Sequence, residues 1–167
     1  LVKNYGKNFK GDILAESWEL SCHPDCCATV LDESLRDYLF KNPQYSPQDL
    51  MGTNIDHYDD FPILIKFIDA RDKLSIQVHP DDAYAKEVEG GFGKTEMWYI
   101  MEAEPGAFLY LGCKKQYSKE DFLRHVESNT VEDIMCKVPV KAGESYFIEA
   151  GCLHAIGKGI VICEVQQ

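Results

Sequence analysis

Residues 145–165 read SYFIEAGCLHAIGKGIVICEV, and this stretch decides the fold class. It holds three short runs of residues that favour β-strands, at 145–148, 154–156 and 160–165, separated by glycines. Short strands joined by glycine-containing turns are typical of antiparallel sandwiches and barrels. Since no helical pattern stands between these runs, a doubly wound α/β fold is not expected.

The same strand pattern extends upstream. Further β-type runs are predicted at 11–21, 63–68, 74–79, 94–101, 107–111 and 137–140. The turn Glu104-Pro105-Gly106 separates two of them, so 94–101 and 107–111 are expected to pair as a hairpin. The whole chain, residues 1–167, is therefore predicted to form one mainly β domain.

Two helical insertions are predicted between the strands. Residues 29–51 carry apolar side chains at helical spacing. The second insertion covers about 118–135, where Ser118 and Asp121 resemble a capping box at the start of a helix.

The chain has 167 residues and a formal net charge of −11. A strongly acidic surface repels phosphate backbones, so we expect no nucleic-acid partner, and an anionic substrate needs a local cluster of positive groups. The apolar runs are much shorter than a membrane span, and no secretory signal opens the sequence. Neither membrane association nor secretion is expected.

The chain has seven cysteines and no CxxC pair. This usage indicates reduced thiols and a cytoplasmic protein. Cys22, His23, Cys26 and Cys27 crowd together, but no matching pair follows at zinc-finger spacing, which argues against a second metal site.

Apolar and polar residues alternate strictly in the run 74–79. In a strand, Ser75, Gln77 and His79 therefore share one face. A hydroxyl, an amide and an imidazole in a row can face a metal ion and a polar substrate inside a barrel, or they can face solvent. This strand alone leaves both interpretations open.

Lys94 and Glu96 share a face of the next run by the same alternation. A carboxylate is a normal zinc ligand, and a neighbouring ammonium can hold an anionic substrate. The match of residues 93–95 to the end of a P-loop fails, because Val88 occupies the position of the first glycine.

His154 follows a glycine turn and begins a predicted strand. Taken alone, such a histidine is more often structural or exposed than a metal ligand. His23, His57 and His125 keep that structural interpretation.

Four separated motifs resemble those of type I phosphomannose isomerases, in particular the short bacterial forms. They are ESWELS at 16–21, SIQVHPD at 75–81, GKTEMWY at 93–99 and the segment 151–157. Their order and spacing match along essentially the whole chain, so the four together are far more specific than any one of them.

The resemblance implies a cupin-like jelly-roll barrel and the reversible interconversion of mannose 6-phosphate with fructose 6-phosphate. It implies a zinc ion bound by Gln77, His79, Glu96 and His154. It also implies that Ser75 and Lys94 line the substrate site, with Lys94 and Glu164 as catalytic residues.

This activity requires a proton to move between carbons 1 and 2 through an enediolate, whose negative charge a zinc ion stabilises. The alternative from another class is a non-catalytic cupin-type module that binds a sugar or a metal. An iron-dependent cupin oxygenase ranks last, because Gln77 beside His79 departs from a bare two-histidine, one-carboxylate triad.

The sequence departs from the family pattern at both ends. The family's opening Trp-Gly segment is missing, and its catalytic arginine follows a Gln-Gln-Asn-Ser-Asp run, whereas this sequence ends at Gln166-Gln167. We therefore expect the 167 residues to hold the complete ligand set, to lack the arginine, and to bind metal while isomerising poorly.

Overall fold

The computed structural model describes residues 1–11, 13–55 and 60–167. Its strands are β1 (Glu16–Leu20), β2 (Thr29–Val30), β3 (Glu33–Ser34), β4 (Leu64–Ala70), β5 (Glu96–Ala103), β6 (Phe108–Cys113), β7 (Met135–Pro139), β8 (Ser145–Ile148), β9 (His154–Ile156) and β10 (Ile160–Gln166). Its helices are α1 (Val2–Tyr5), α2 (Leu35–Phe40), α3 (Pro47–Met51), α4 (Asp82–Tyr84), α5 (Lys119–Glu127) and α6 (Val131–Ile134). A 3₁₀ turn (Thr53–Ile55) follows α3, and a π-helical turn (Ala85–Glu89) follows α4.

The strands form two main antiparallel sheets and one small hairpin. The larger sheet has the order β1-β4-β10-β5-β8, the smaller has the order β7-β6-β9, and β2 pairs with β3. The predicted class, mainly β with helical insertions, is confirmed. No helix within the described ranges has the length and apolar character needed to cross a membrane.

The hydrophobic core lies between the two sheets. Trp98 and Ile100 of β5 and Ile162 of β10 meet Leu109 of β6 and Ile156 of β9, and all five are nearly inaccessible to solvent. Alternate residues of each strand point inward, as the period of two requires. Each buried Leu or Ile contributes about 1.5–3 kcal/mol relative to exposure.

The predicted hairpin between 94–101 and 107–111 is wrong. β5 pairs with β10 and β8, whereas β6 pairs with β7 and β9. The turn between them carries the chain from one sheet to the other and is tied to the larger sheet by the bond from the Glu104 amide to the Gly159 carbonyl, 2.8 Å. A turn sequence alone does not distinguish a reversal within a sheet from a crossing between sheets.

The predicted strand at 74–79 is also wrong, because this described segment forms a single β-bridge and no strand. Gln77 and His154 exchange both backbone hydrogen bonds at 2.9 Å, and the Leu74 amide donates to the Ile156 carbonyl at 3.0 Å. The segment therefore lies irregularly along β9 and brings Gln77 opposite His154.

The first helical insertion begins differently from the prediction. Residues 29–34 form the β2–β3 hairpin, and α2 starts only after Ser34, whose hydroxyl accepts from the Asp37 amide. The second insertion is helical, and the Ser118 hydroxyl caps α5 by accepting from the Asp121 amide at 3.1 Å. His57 lies outside the described residues.

Gly93 fits against the backbone that follows His79. A Cβ atom there would lie 2.5 Å from the Asp82 nitrogen and 2.6 Å from the Asp81 carbonyl carbon. Gly93→Ala should therefore lower the free energy of unfolding by about 1–3 kcal/mol, measured by urea denaturation. Gly91→Ala is the control, since a Cβ on Gly91 meets no described atom within 4 Å. Equal losses in both variants would contradict the close packing.

Candidate metal centre

Three side chains from distant parts of the sequence converge at one point. Donor atoms of His79, Glu96 and His154 all lie within 4.8 Å of one another. One Glu96 oxygen is 3.2 Å from His79 Nε2, and the other is 3.6 Å from His154 Nε2. Two imidazoles and a carboxylate are a common metal-binding set.

The sheets fix two of these side chains. Glu96 begins β5 and points inward with the same parity as Trp98, so its carboxylate is 2% exposed. His154 begins β9, where it pairs with Leu111 of β6 on one side and with Gln77 on the other. The register of the strands therefore sets the separation of the two groups.

Within the described parts of the chain, His79 Nε2, Glu96 Oε2 and His154 Nε2 are buried and have no hydrogen-bond partner. Such atoms normally find partners, because burying a polar atom without one is costly. All three lie where a single ion would contact them. The donor set therefore fits a metal ion.

The surroundings of the two histidines orient one ring and favour the neutral form of the other. The Nδ1–H of His154 donates to the Cys152 carbonyl at 2.9 Å, which directs Nε2 at the cluster. Burial, and next the positive charge of Lys94, lower the pKa of His79 below its ordinary value. A neutral imidazole is the ligand form of histidine.

Lys94 joins the cluster through its ammonium, which lies 2.9 Å from Glu96 Oε1. The backbone holds it in place, because the Lys94 amide donates to the Pro80 carbonyl at 3.0 Å and the Gly93 amide donates to the Asp82 carboxylate at 2.8 Å. The segments that carry His79 and Lys94 are thus attached to each other.

Ser75 and Gln77 line the same small cavity of about 100 Å³ as Lys94, Glu96 and His154. The Gln77 amide nitrogen donates to the Ser75 hydroxyl at 3.1 Å, and both residues are exposed. Gln77 lies beside the cluster through its backbone pairing with His154. Its role as a ligand stays a prediction.

Glu164 lines this cavity from β10 and is 3% exposed. Its Oε2 accepts from the indole N–H of Trp98 at 2.8 Å, and its Oε1 lies 3.2 Å from the Lys66 ammonium. Burial, and next the charge of Glu96, raise the pKa of Glu164 above its ordinary value. The carboxyl is therefore closer to protonation near neutral pH than an exposed glutamate.

Lys66 is a site residue that the sequence motifs did not predict. Its ammonium lines the cavity and contacts Glu164, and it lies 3.7 Å from the Glu16 carboxylate. The alternation of side chains along β4 indicates this position, because Lys66 lies on the same face as the buried residues Ile68 and Ala70. A lysine at an inward position of a strand needs a partner inside the protein.

Two antiparallel sheets that bring two imidazoles, a carboxylate and an ammonium to one point define the class: a mainly β protein with a candidate metal site. The chain belongs to the type I phosphomannose isomerases, because the family described as "Phosphomannose isomerase type I, catalytic domain" matches residues 8–110. That range includes His79, Lys94 and Glu96.

Individual relatives extend the match over the whole chain. The mannose-6-phosphate isomerase of Streptococcus mutans is 37% identical over 100% of this chain and 52% of that protein. The mannose-6-phosphate isomerase ManA of Bacillus subtilis is 32% identical over 99% of this chain and 52% of ManA. The chain thus spans about half the length of these relatives.

The fold is shared with a solved relative. The crystal structure of the mannose 6-phosphate isomerase from Bacillus subtilis matches with a TM-score of 0.87 and 31% identity, covering 99% of this chain and 52% of that one. This agreement confirms the predicted mainly β, cupin-like architecture.

Trp98→Phe should destabilise the protein, because it leaves the buried Oε2 of Glu164 without its donor. We expect the free energy of unfolding to fall by about 1–3 kcal/mol in urea denaturation. Trp18→Phe is the matched control, since its indole N–H donates to Glu16, an exposed side chain. A larger loss in the Trp18 variant would contradict the importance of the buried bond.

Proposed function

We propose that residues 1–167 form the zinc-binding catalytic domain of a mannose-6-phosphate isomerase, with His79, Glu96, His154 and Gln77 as the zinc ligands. The observation that carries this proposal is the convergence of three buried donor atoms that have no hydrogen-bond partner within the described residues. Membership of the family supports the substrate, mannose 6-phosphate or fructose 6-phosphate.

The donor chemistry favours zinc. Nitrogen ligands from two neutral imidazoles with one carboxylate are typical of catalytic zinc sites, and oxygen-rich sites suit magnesium or calcium better. Gln77 would add a neutral oxygen, so the loaded centre would keep a positive charge. A zinc ion in this position supplies Lewis-acid stabilisation of negative charge on a substrate oxygen.

The two lysines of the cavity counter the chain's overall charge of −11. Lys94 and Lys66 each lie about 3 Å from a buried glutamate, at 2.9 Å from Glu96 and 3.2 Å from Glu164. They offset the charges of these two glutamates, and a bound zinc ion would add the positive charge that attracts an anionic sugar phosphate. Lys94 would bind substrate oxygens, and the Ser75 hydroxyl would contribute a further hydrogen bond.

Glu164 is the residue that we propose as the proton-exchanging group. Its Oε1 is buried, lies 3.2 Å from the Lys66 ammonium and has no hydrogen bond inside the described chain, while Trp98 holds Oε2. A carboxyl whose pKa is raised can accept a proton from one carbon of the substrate and return it to the neighbouring carbon. The intermediate between these transfers would be the enediolate.

A cytoplasmic location is part of the proposal. Among the described residues, all seven cysteines are free thiols, a state that reducing compartments maintain.

Zinc should bind the 167-residue chain at one equivalent. His79→Ala should weaken zinc binding by more than about 100-fold. Losing a residue that only supports a ligand already costs about 10–100-fold in metal affinity, and loss of the ligand itself should cost more. Zinc content after dialysis and isothermal titration calorimetry measure this. His125→Ala is the control, since His125 lies on α5 and its ring contacts Thr130, just beyond the end of that helix. Unchanged zinc binding by the His79 variant would refute the ligand assignment.

Lys94→Ala should weaken binding of mannose 6-phosphate to the zinc-loaded chain by about 10–100-fold, because the variant loses one hydrogen bond between charged groups. Zinc content should stay unchanged. Calorimetry with the sugar phosphate and metal analysis separate the two effects. Lys158→Ala is the control, because that side chain is 69% exposed. Equal loss of zinc would assign Lys94 a structural role.

Turnover should be low in the 167-residue chain and higher in a longer version that includes the family's arginine segment. Removing one preorganised positive donor costs about 10²–10³ in rate. A coupled isomerase assay and zinc analysis on both versions measure this, and zinc content should be equal. Equal turnover would mean that a group within residues 1–167 supplies that function. Zinc binding without turnover in either version would favour the non-catalytic module.

A further inference from the structure

Two cysteines face each other across a tight turn outside the metal centre. The Ala28 amide donates to the Ser21 carbonyl at 2.7 Å, and a second backbone bond of 3.1 Å closes the turn 23–26. Cys22 and Cys27 lie on the two sides of this turn and pack in the same apolar cluster. Their thiols are near enough to influence each other electrostatically.

The turn itself is held by its own side chains. The His23 amide donates to the Ser21 hydroxyl at 3.0 Å, and the Asp25 amide donates to His23 Nδ1 at 3.2 Å. A disulfide spans Cα atoms about 4.4–6.8 Å apart. The backbone bonds that close residues 21–28 hold the two cysteines near each other, so the bridge is expected to form by a local adjustment of this loop.

The two thiols differ in their surroundings. Cys22 is 4% exposed and packs with Leu35 and Leu39, and Cys27 lies at the edge of the same cluster, half-buried. Cys22 also lines a groove of about 380 Å³, whose wall includes Phe61 and Lys94. Burial raises the pKa of the Cys22 thiol to about 12, so Cys22 is the weaker nucleophile toward an external reagent.

We propose that Cys22 and Cys27 form a reversible dithiol–disulfide site that exchanges with small-molecule disulfides. The pair lies outside the metal centre, and its chemistry requires no bound metal. A reducing compartment keeps the pair as thiols, and an oxidised small-molecule pool converts it to the bridge.

The exchange balances with the external disulfide as the oxidant. The Cys27 thiolate attacks one sulfur of the external disulfide, whose S–S bond breaks and releases one thiol. Cys22 then gives up its proton and attacks the Cys27 sulfur of the mixed disulfide, which releases the second thiol. The protein loses two hydrogens and two electrons and gains one S–S bond, and the external disulfide becomes two thiols. The proximity of the two thiols gives the second step a high effective concentration.

The test exposes the full chain to oxidised glutathione, blocks the remaining thiols with iodoacetamide, and cleaves the protein on the amino side of aspartate. Cleavage before Asp25 separates Cys22 from Cys27, so the bridge appears as two peptides joined by a reducible bond. We expect this joined species, with two of the seven thiols lost, and its complete reversal by dithiothreitol.

Three variants make the result specific. Cys26→Ser should still form the joined species, whereas Cys27→Ser should not. Cys136→Ser, which changes a half-buried cysteine elsewhere, should behave as the parent chain. Loss of the joined species in the Cys26 variant, or alkylation of both Cys22 and Cys27 after oxidation, would overturn the inference.

Discussion

The site depends on the burial of the Glu96 carboxylate, which is 2% exposed. Strand alternation forces this burial, because Glu96 lies on the same face of β5 as Trp98 and Ile100, which form the core of the sandwich. An ionised carboxylate without partners costs several kcal/mol when it leaves water. The fold meets that cost by bringing the Lys94 ammonium to 2.9 Å and two imidazoles to the same carboxylate.

The neighbouring strand repeats this arrangement with a second carboxylate. Glu164 pairs with Trp98 in the β10–β5 ladder and with Lys66 in the β10–β4 ladder, so the strand register alone brings its two partners alongside. The cavity lining thus carries three glutamates, Glu16, Glu96 and Glu164, and two lysines, Lys66 and Lys94. The lysines offset most of this negative charge, and a bound metal ion would supply the remaining positive charge that an anionic ligand needs.

The sequence predicted those features that short-range patterns determine. The bounds of β8 and β9 agree with the predicted runs 145–148 and 154–156, because glycine turns limit both strands closely. The resemblance grouped His79, Glu96 and His154, and their donor atoms lie within 4.8 Å of one another in the structure. The sheet partner of β6 and the bridge at Gln77 depend on contacts between distant residues, which no local pattern contains. Lys66 was missed because a single charge in an apolar run shows its partner only after β4 and β10 are paired.

The three clustered donors lie on distant pieces of the chain. Glu96 and His154 belong to different sheets, and His79 lies in a segment outside both sheets that one β-bridge and a few isolated backbone hydrogen bonds hold in place. An ion bound by all three would act as a cross-link that closes long loops, and it would restrict the unfolded chain much as a covalent bond does. Metal occupancy would then decide the cooperativity of unfolding, with the His79 segment separating first from an apoprotein and last from a loaded one.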